Sequence, residues 1–115
     1  MPVGKIDELT PQPVMGDDVA AVAKRVPLSP REGWEGYVMR VFDVAPGGHT
    51  PRHTHAWPHI NYIIAGKGSL HIDGADNDVE AGSYALVPAG ATHQFANAGP
   101  EVFRFICIVP EEGEA

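Results

Sequence analysis

Residues 48–66 read Gly48-His49-Thr50-Pro51-Arg52-His53-Thr54-His55-Ala56-Trp57-Pro58-His59, followed by Ile60-Asn61-Tyr62-Ile63-Ile64-Ala65-Gly66. The second half is a β-branched and aromatic run closed by glycine, the pattern of a short strand. The first half carries histidines two and four positions apart. On an extended chain residues two apart share a face, so His53 and His55 project into one space while Thr54 turns away. His59 follows the kink-prone Trp57-Pro58, where the next strand can return a third imidazole to the same point. Outward from this stretch the same grammar continues, with strands expected over 37–44, 60–65, 69–72, 84–87, 93–96 and 102–109. Pro46-Gly47-Gly48, Gly66-Lys67-Gly68, Asp73-Gly74, Pro88-Ala89-Gly90 and Asn97-Ala98-Gly99-Pro100 separate them, each a turn made by a glycine at positive φ or a φ-locked proline.

The whole chain supports an all-β reading. At 115 residues it has room for one core, and 13 Gly with 11 Pro are too many for long helices. Residues 37–110 form the expected barrel and 111–115 an acidic, solvated tail. Residues 1–36, rich in proline and charge, form an arm that could add a strand to a neighbouring subunit. Within the arm, Val19, Val22 and Val26 recur at helical spacing, yet Ala20, Val22, Lys24, Val26 and Leu28 also line one face of a strand, and an extended segment is expected. Eight basic against 15 acidic residues, net −7, disfavour nucleic acid and anionic membranes as partners. No stretch approaches the roughly eighteen apolar residues of a membrane span, and the N-terminus lacks a signal-peptide pattern, so a cytoplasmic location is expected. Cys107 is the single cysteine, which leaves no internal disulfide framework.

Four of the six histidines stand out: His53, His55 and His59, and His93, which would arrive from another strand. Imidazole is the commonest metal-binding side chain near neutral pH. A lone His-x-His pair is nonetheless a weak signal, more often incidental than not.

Two motifs carry a resemblance to the cupin superfamily. The first is the stretch quoted above, ending at Gly66, with one residue fewer before its leading histidine and with His59 where most cupins place Glu. The second is Gly82, five residues, Pro88, one residue, Gly90, two residues, His93, three residues and Asn97, which matches at every fixed position. The chain is similar, closer still, to small single-domain cupins with four histidine ligands, through residues 24–26, 37–42 and 105–110. That resemblance implies a jelly-roll barrel (the cupin double-stranded β-helix), a homodimer, and one divalent metal held by His53, His55, His59 and His93.

Replacing the usual carboxylate by His59 leaves a divalent ion its full double charge, so the metal should hold anionic ligands more firmly. Manganese, iron, nickel, copper and zinc all accept imidazole, with manganese or iron favoured. Around the metal, Arg40 shares a strand face with Val38, Phe42 and Val44, and serves either as a clamp for a substrate carboxylate or as a partner for Asp43. Phe95 points with His93. Both faces of the last strand are apolar, so periodicity does not say which looks inward; the resemblance favours Phe105 and Cys107, for which core packing is the simpler role. Trp57 either caps the mouth or packs in a dimer contact. His49 and His71 fit neither motif and are expected in solvent. No nucleophile motif surrounds Ser29, Ser69, Ser83 or Cys107. The expected function is a metal-dependent oxidoreductase of dioxygenase or oxidative-cleavage type acting on a small organic molecule. A non-catalytic binding or sensing module and a metal-dependent isomerase are the alternatives.

Overall fold

The computed structural model describes residues 2–114; Met1 of the expected arm and Ala115 of the expected tail lie outside them. Nine strands run β1 (Gln12–Pro13), β2 (Ala20–Leu28), β3 (Tyr37–His49), β4 (His59–Ala65), β5 (Lys67–Ile72), β6 (Ala75–Glu80), β7 (Tyr84–Val87), β8 (His93–Ala96) and β9 (Phe103–Pro110). All pairings are antiparallel, in the order β6-β5-β8-β3-β9-β4-β7, with β2 on β3 and β1 on β2. The result is a nearly closed jelly-roll barrel. Among the described residues no helix is long and apolar enough to cross a membrane.

The long strand β3 closes the barrel. Its first part pairs with β9 from Tyr37↔Pro110 to Val44↔Phe103. It then bends through Pro46-Gly47-Gly48, and His49 pairs with Ala96 of β8 in the other layer. Gly48 sits at the bend because a Cβ there would meet the Ala20 carbonyl oxygen at 2.5 Å. Sequence reasoning ended this strand at Val44, since a Pro-Gly-Gly run signals a turn rather than a strand that changes sheets.

Alternation fills the interior. Val38, Val44, Ile63, Leu70, Val87, Phe95, Phe103, Phe105 and Val109 form the buried core, and Val22 of β2 joins them. The segment over 20–28 is extended, as expected, and its ladder partners within the chain are β3 and the short β1. Two features differ from expectation. Strand β6, Ala-Asp-Asn-Asp-Val-Glu, carries no apolar alternation because it is a sheet edge exposed along most of its length. The His53–His55 segment is not a regular strand: one bridge, His53↔His93, is its only ladder contact, because Pro51 and Pro58 interrupt pairing on either side.

Candidate metal centre

The loop joining β3 to β4 is laced onto β8 by its backbone. Thr50 N–H donates to Phe95 O at 2.9 Å, His53 N–H to His93 O at 3.2 Å, and His93 N–H returns to His53 O at 3.0 Å. This lacing puts His53 and His55 beside His93. Ligand-capable nitrogens of these three residues lie within 4.8 Å of one another. His59, first residue of β4, brings its Nε2 to 3.2 Å from Nε2 of His93. Its ring centroid is 5.5 Å from that of His55 and 4.8 Å from that of His93.

Three of the inward nitrogens, those of His55, His59 and His93, are aimed by an outward hydrogen bond. His55 Nδ1 donates to Trp57 O at 2.9 Å, His93 Nδ1 to Ala91 O at 2.9 Å, and His59 Nδ1 to Asn61 Oδ1 at 2.7 Å. Asn61 is oriented for this by its own donation to Ile106 O at 3.2 Å. Carbonyl oxygens only accept, so these bonds place the protons on Nδ1 and leave bare Nε2 lone pairs facing inward. Two such lone pairs confront each other between His59 and His93 with no proton to share. A cation relieves that arrangement. None of these acceptors was foreseen from sequence; the one available signal is that Asn61 lies two residues beyond His59 on the same strand face.

The imidazoles of His53, His59 and His93 are held neutral. Burial first, then the neighbouring His93, brings His59 down to about 3, against a smaller upward pull from Asn61. His53 falls to about 4 through desolvation of the ring, then His93, His55 and Arg40. Burial likewise lowers His93, partly offset by its bond to Ala91. Neutral imidazole donors are what a borderline transition-metal ion accepts.

The cluster lies on the wall of a cavity of about 380 Å³ that Arg40, Trp57, Phe95, Phe105 and Cys107 also line. Phe105 and Cys107 therefore lie on the inward face of β9, opposite Arg104, Ile106 and Ile108. Phe95 stacks on Phe105 at 4.0 Å between centroids, and Trp57 on His55 at 4.7 Å with planes 11° apart. The Asp43 partner considered for Arg40 is a correction: Asp43 lies on the opposite face of β3, bound by Arg25 at 2.7 Å and Arg104 at 2.6 Å. Arg40 instead donates to Cys107 Sγ at 2.9 Å and contacts Glu114 at 3.4 Å. Burial pushes the Cys107 thiol up, and the adjacent Arg40 offsets this only in part, so sulfur stays protonated. His49 contacts Thr50 O and the Gln94 amide, and His71 pairs with Asp76 at 2.7 Å, both outside the cluster.

Residues 40–109 match the cupin domain family model. The chain belongs to the cupin family. Among curated relatives, this cupin is 31% identical over 74 residues to 1-methylthio-D-xylulose 5-phosphate methylsulfurylase of Rhodospirillum rubrum, covering 64% of this chain and 47% of the relative. It is 29% identical over 65 residues to the oxalate-binding protein of Thermotoga maritima, covering 56% and 54% respectively. The cupin thus spans about half the length of each. Among solved structures, the polyketide cyclase RemF of Streptomyces resistomycificus superposes with a TM-score of 0.90 at 25% identity, over 96% of this chain and 80% of that one. A cupin-2 domain protein of Rhodospirillum rubrum gives 0.79 at 25% identity, over 89% and 68%.

Proposed function

We propose that this cupin binds one divalent transition metal through His53, His55, His59 and His93 and uses it to convert a small, partly aromatic carbonyl compound. The observation that carries this reading is the inward convergence of bare Nε2 lone pairs on an aromatic cavity wall, those of His55, His59 and His93 each aimed by a carbonyl oxygen on the far side of its ring. A bound divalent ion would supply Lewis-acid polarisation of carbonyl and enolate oxygens. The chain's own residues do the rest. Phe95 and Phe105 offer a flat stacked surface to a planar substrate, Trp57 braces His55, and the apolar lining keeps water away from the reacting oxygens.

Redox-neutral ring closure of an enolisable, polyketide-like substrate is the reaction this arrangement supports best, because the likeness to a polyketide cyclase extends over 96% of the chain. Oxidative cleavage with dioxygen is the second reading. Four protein donors would leave a six-coordinate ion room for two further ligands, which favours it. Conversion of 1,3-dicarbonyl and poly-β-ketone compounds, followed by mass spectrometry with and without oxygen, separates them. Anaerobic conversion without change of oxidation level supports cyclisation or isomerisation. Stoichiometric oxygen uptake moves the assignment to oxidative cleavage. Substrate bound but recovered unchanged makes the protein a binding module.

A homodimer is part of the same proposal. Ile60 and Tyr62 of β4 pair with Leu86 and Tyr84 of β7, and their outward side chains are 51%, 49%, 62% and 84% exposed. So large an apolar sheet face fits an isologous second copy.

A further inference from the structure

Among the described residues, Lys24 and Arg40 are the only charged side chains lining the cavity that holds the histidines. One carboxylate answers both. Glu114 Oε2 is 2.7 Å from Lys24 Nζ, and Glu114 Oε1 is 3.4 Å from Arg40 Nη1. Its backbone is brought there by the turn Glu111–Gly113, which starts with Glu111 N–H donating to Gly36 O at 2.9 Å. Gly113 lines the cavity and packs so closely on Trp57 that a Cβ would meet Nε1 at 2.7 Å. Residues 113–114 of the expected solvated tail are thus folded back against the cavity, while Glu111 and Glu112 are exposed.

Arg40 is under-satisfied there. Among the described residues its Nε is buried without a hydrogen-bond partner, Nη2 donates to a thiol, Nη1 makes only the 3.4 Å contact, and the guanidinium carbon lies 5.1 Å from the centroid of the Phe42 ring. Sulfur is a weak acceptor, and a buried donor left unmet carries a desolvation cost. A guanidinium beside an ammonium on the wall of an otherwise largely apolar cavity is matched by a planar anion.

We propose that Lys24 and Arg40 form an anion subsite for a carboxylate of the substrate, and that Glu114 occupies this position until the substrate displaces it. The proposal extends the reading above, which places the substrate's oxygen donors at the histidines, and assigns the substrate a carboxylate on its far side. Displacement exchanges one carboxylate for another, so no net charge is buried, and the released segment uncovers Trp57.

Benzoate, with benzamide as its uncharged counterpart, tests this by titration calorimetry on the protein as purified and after chelator treatment. Trp57 emission is followed in a Trp34→Phe background. Benzoate should bind at least about tenfold more tightly than benzamide with or without metal. Glu114→Gln should raise benzoate affinity about tenfold and reproduce the Trp57 change without ligand. Arg40→Gln should abolish the preference for benzoate, with Arg40→Lys and Lys24→Gln retaining part of it. Equal binding of the two probes, or Glu114→Gln leaving benzoate affinity unchanged, overturns the proposal. Glu114 is on a surface turn, so its variant tests the idea even if Arg40→Gln fails to fold. Binding to the chelator-treated chain separates the subsite from the metal: lost benzoate selectivity with metal retained fails the subsite alone, and absent metal with selectivity intact fails only the metal reading.

Discussion

Asn61 fixes His59 from behind, accepting from its Nδ1 at 2.7 Å while its amide is held by Ile106 O. Removing that acceptor frees the ring to turn and to change tautomer. Asn61→Leu should therefore weaken metal binding by about ten- to a hundredfold in chelator competition, with the thermal melt little changed. An unchanged affinity would remove Asn61 from the site. Asn97 plays the corresponding part for the fold. Fully buried, it donates to Val44 O at 2.9 Å and Glu101 O at 2.7 Å and accepts from Gly99 N–H, tying the turn after β8 to the bend of β3. Asn97→Ala leaves those groups unmet and should cost about 2–4 kcal/mol in denaturant unfolding without altering the metal donors. That His53, His55 and His93 would cluster was legible through the two cupin-like motifs that carry them, since a His-x-His pair by itself is a weak signal. The groups that aim them were not, because a backbone carbonyl such as that of Trp57 or Ala91 has no letter in the sequence.

Asp43 links three strands, taking Arg25 from β2 and Arg104 from β9 on the outer face of β3. Burial alone would raise its carboxyl, but the two guanidiniums, Arg104 ahead of Arg25, outweigh that and hold it below the usual carboxylate range. A folded-state value below the unfolded one means that the stabilisation is complete above the unfolded pKa of about 4 and is lost as pH falls through the folded value. Asp43→Asn should thus lower stability by about 1–2 kcal/mol at neutral pH, with a gap to wild type that closes below about pH 4. A gap independent of pH would show that the ion pairs contribute nothing. Strand β5 makes a steric prediction. A Cβ on Gly68 would lie 2.5 Å from the Phe103 ring and 2.7 Å from Ala96 O, so Gly68→Ala should lower the melting temperature by several degrees. Legibility at this scale followed burial. Strands β7 and β8 matched their expected bounds, whereas β6, an edge strand in solvent, had no apolar period to read. The ambiguity of β9 has a physical cause as well. Its inner face meets the core, while on its outer face Ile106 and Met39 line a groove with Ile6 and Leu9 of the arm, so both faces needed apolar side chains.

At the scale of the molecule, the arm is tied to the barrel by Arg25 donating to Leu9 O at 2.9 Å and by Arg104 on Asp7 at 3.2 Å, leaving the β4–β7 face uncovered within the chain. If a second copy covers it, Tyr62→Asp combined with Leu86→Asp should convert a dimer to a monomer in sedimentation or light scattering, with metal content unchanged. A wild-type protein that is monomeric at micromolar concentration would contradict this. The motifs in the sequence carried the jelly-roll class and the histidine cluster, but not the chemistry performed there, because an aromatic cavity with imidazole donors serves several reactions. Everything proposed for that cavity depends on four nitrogen donors sharing one ion. X-ray absorption at the metal edge, on protein purified without chelator and on His59→Ala, tests this most directly. The account predicts about one ion per chain with four imidazole nitrogens near 2.0–2.2 Å, falling to three or to no retained metal in the variant. An unchanged nitrogen count with unchanged metal retention in His59→Ala, or a wild-type chain that holds no stoichiometric metal, would contradict it.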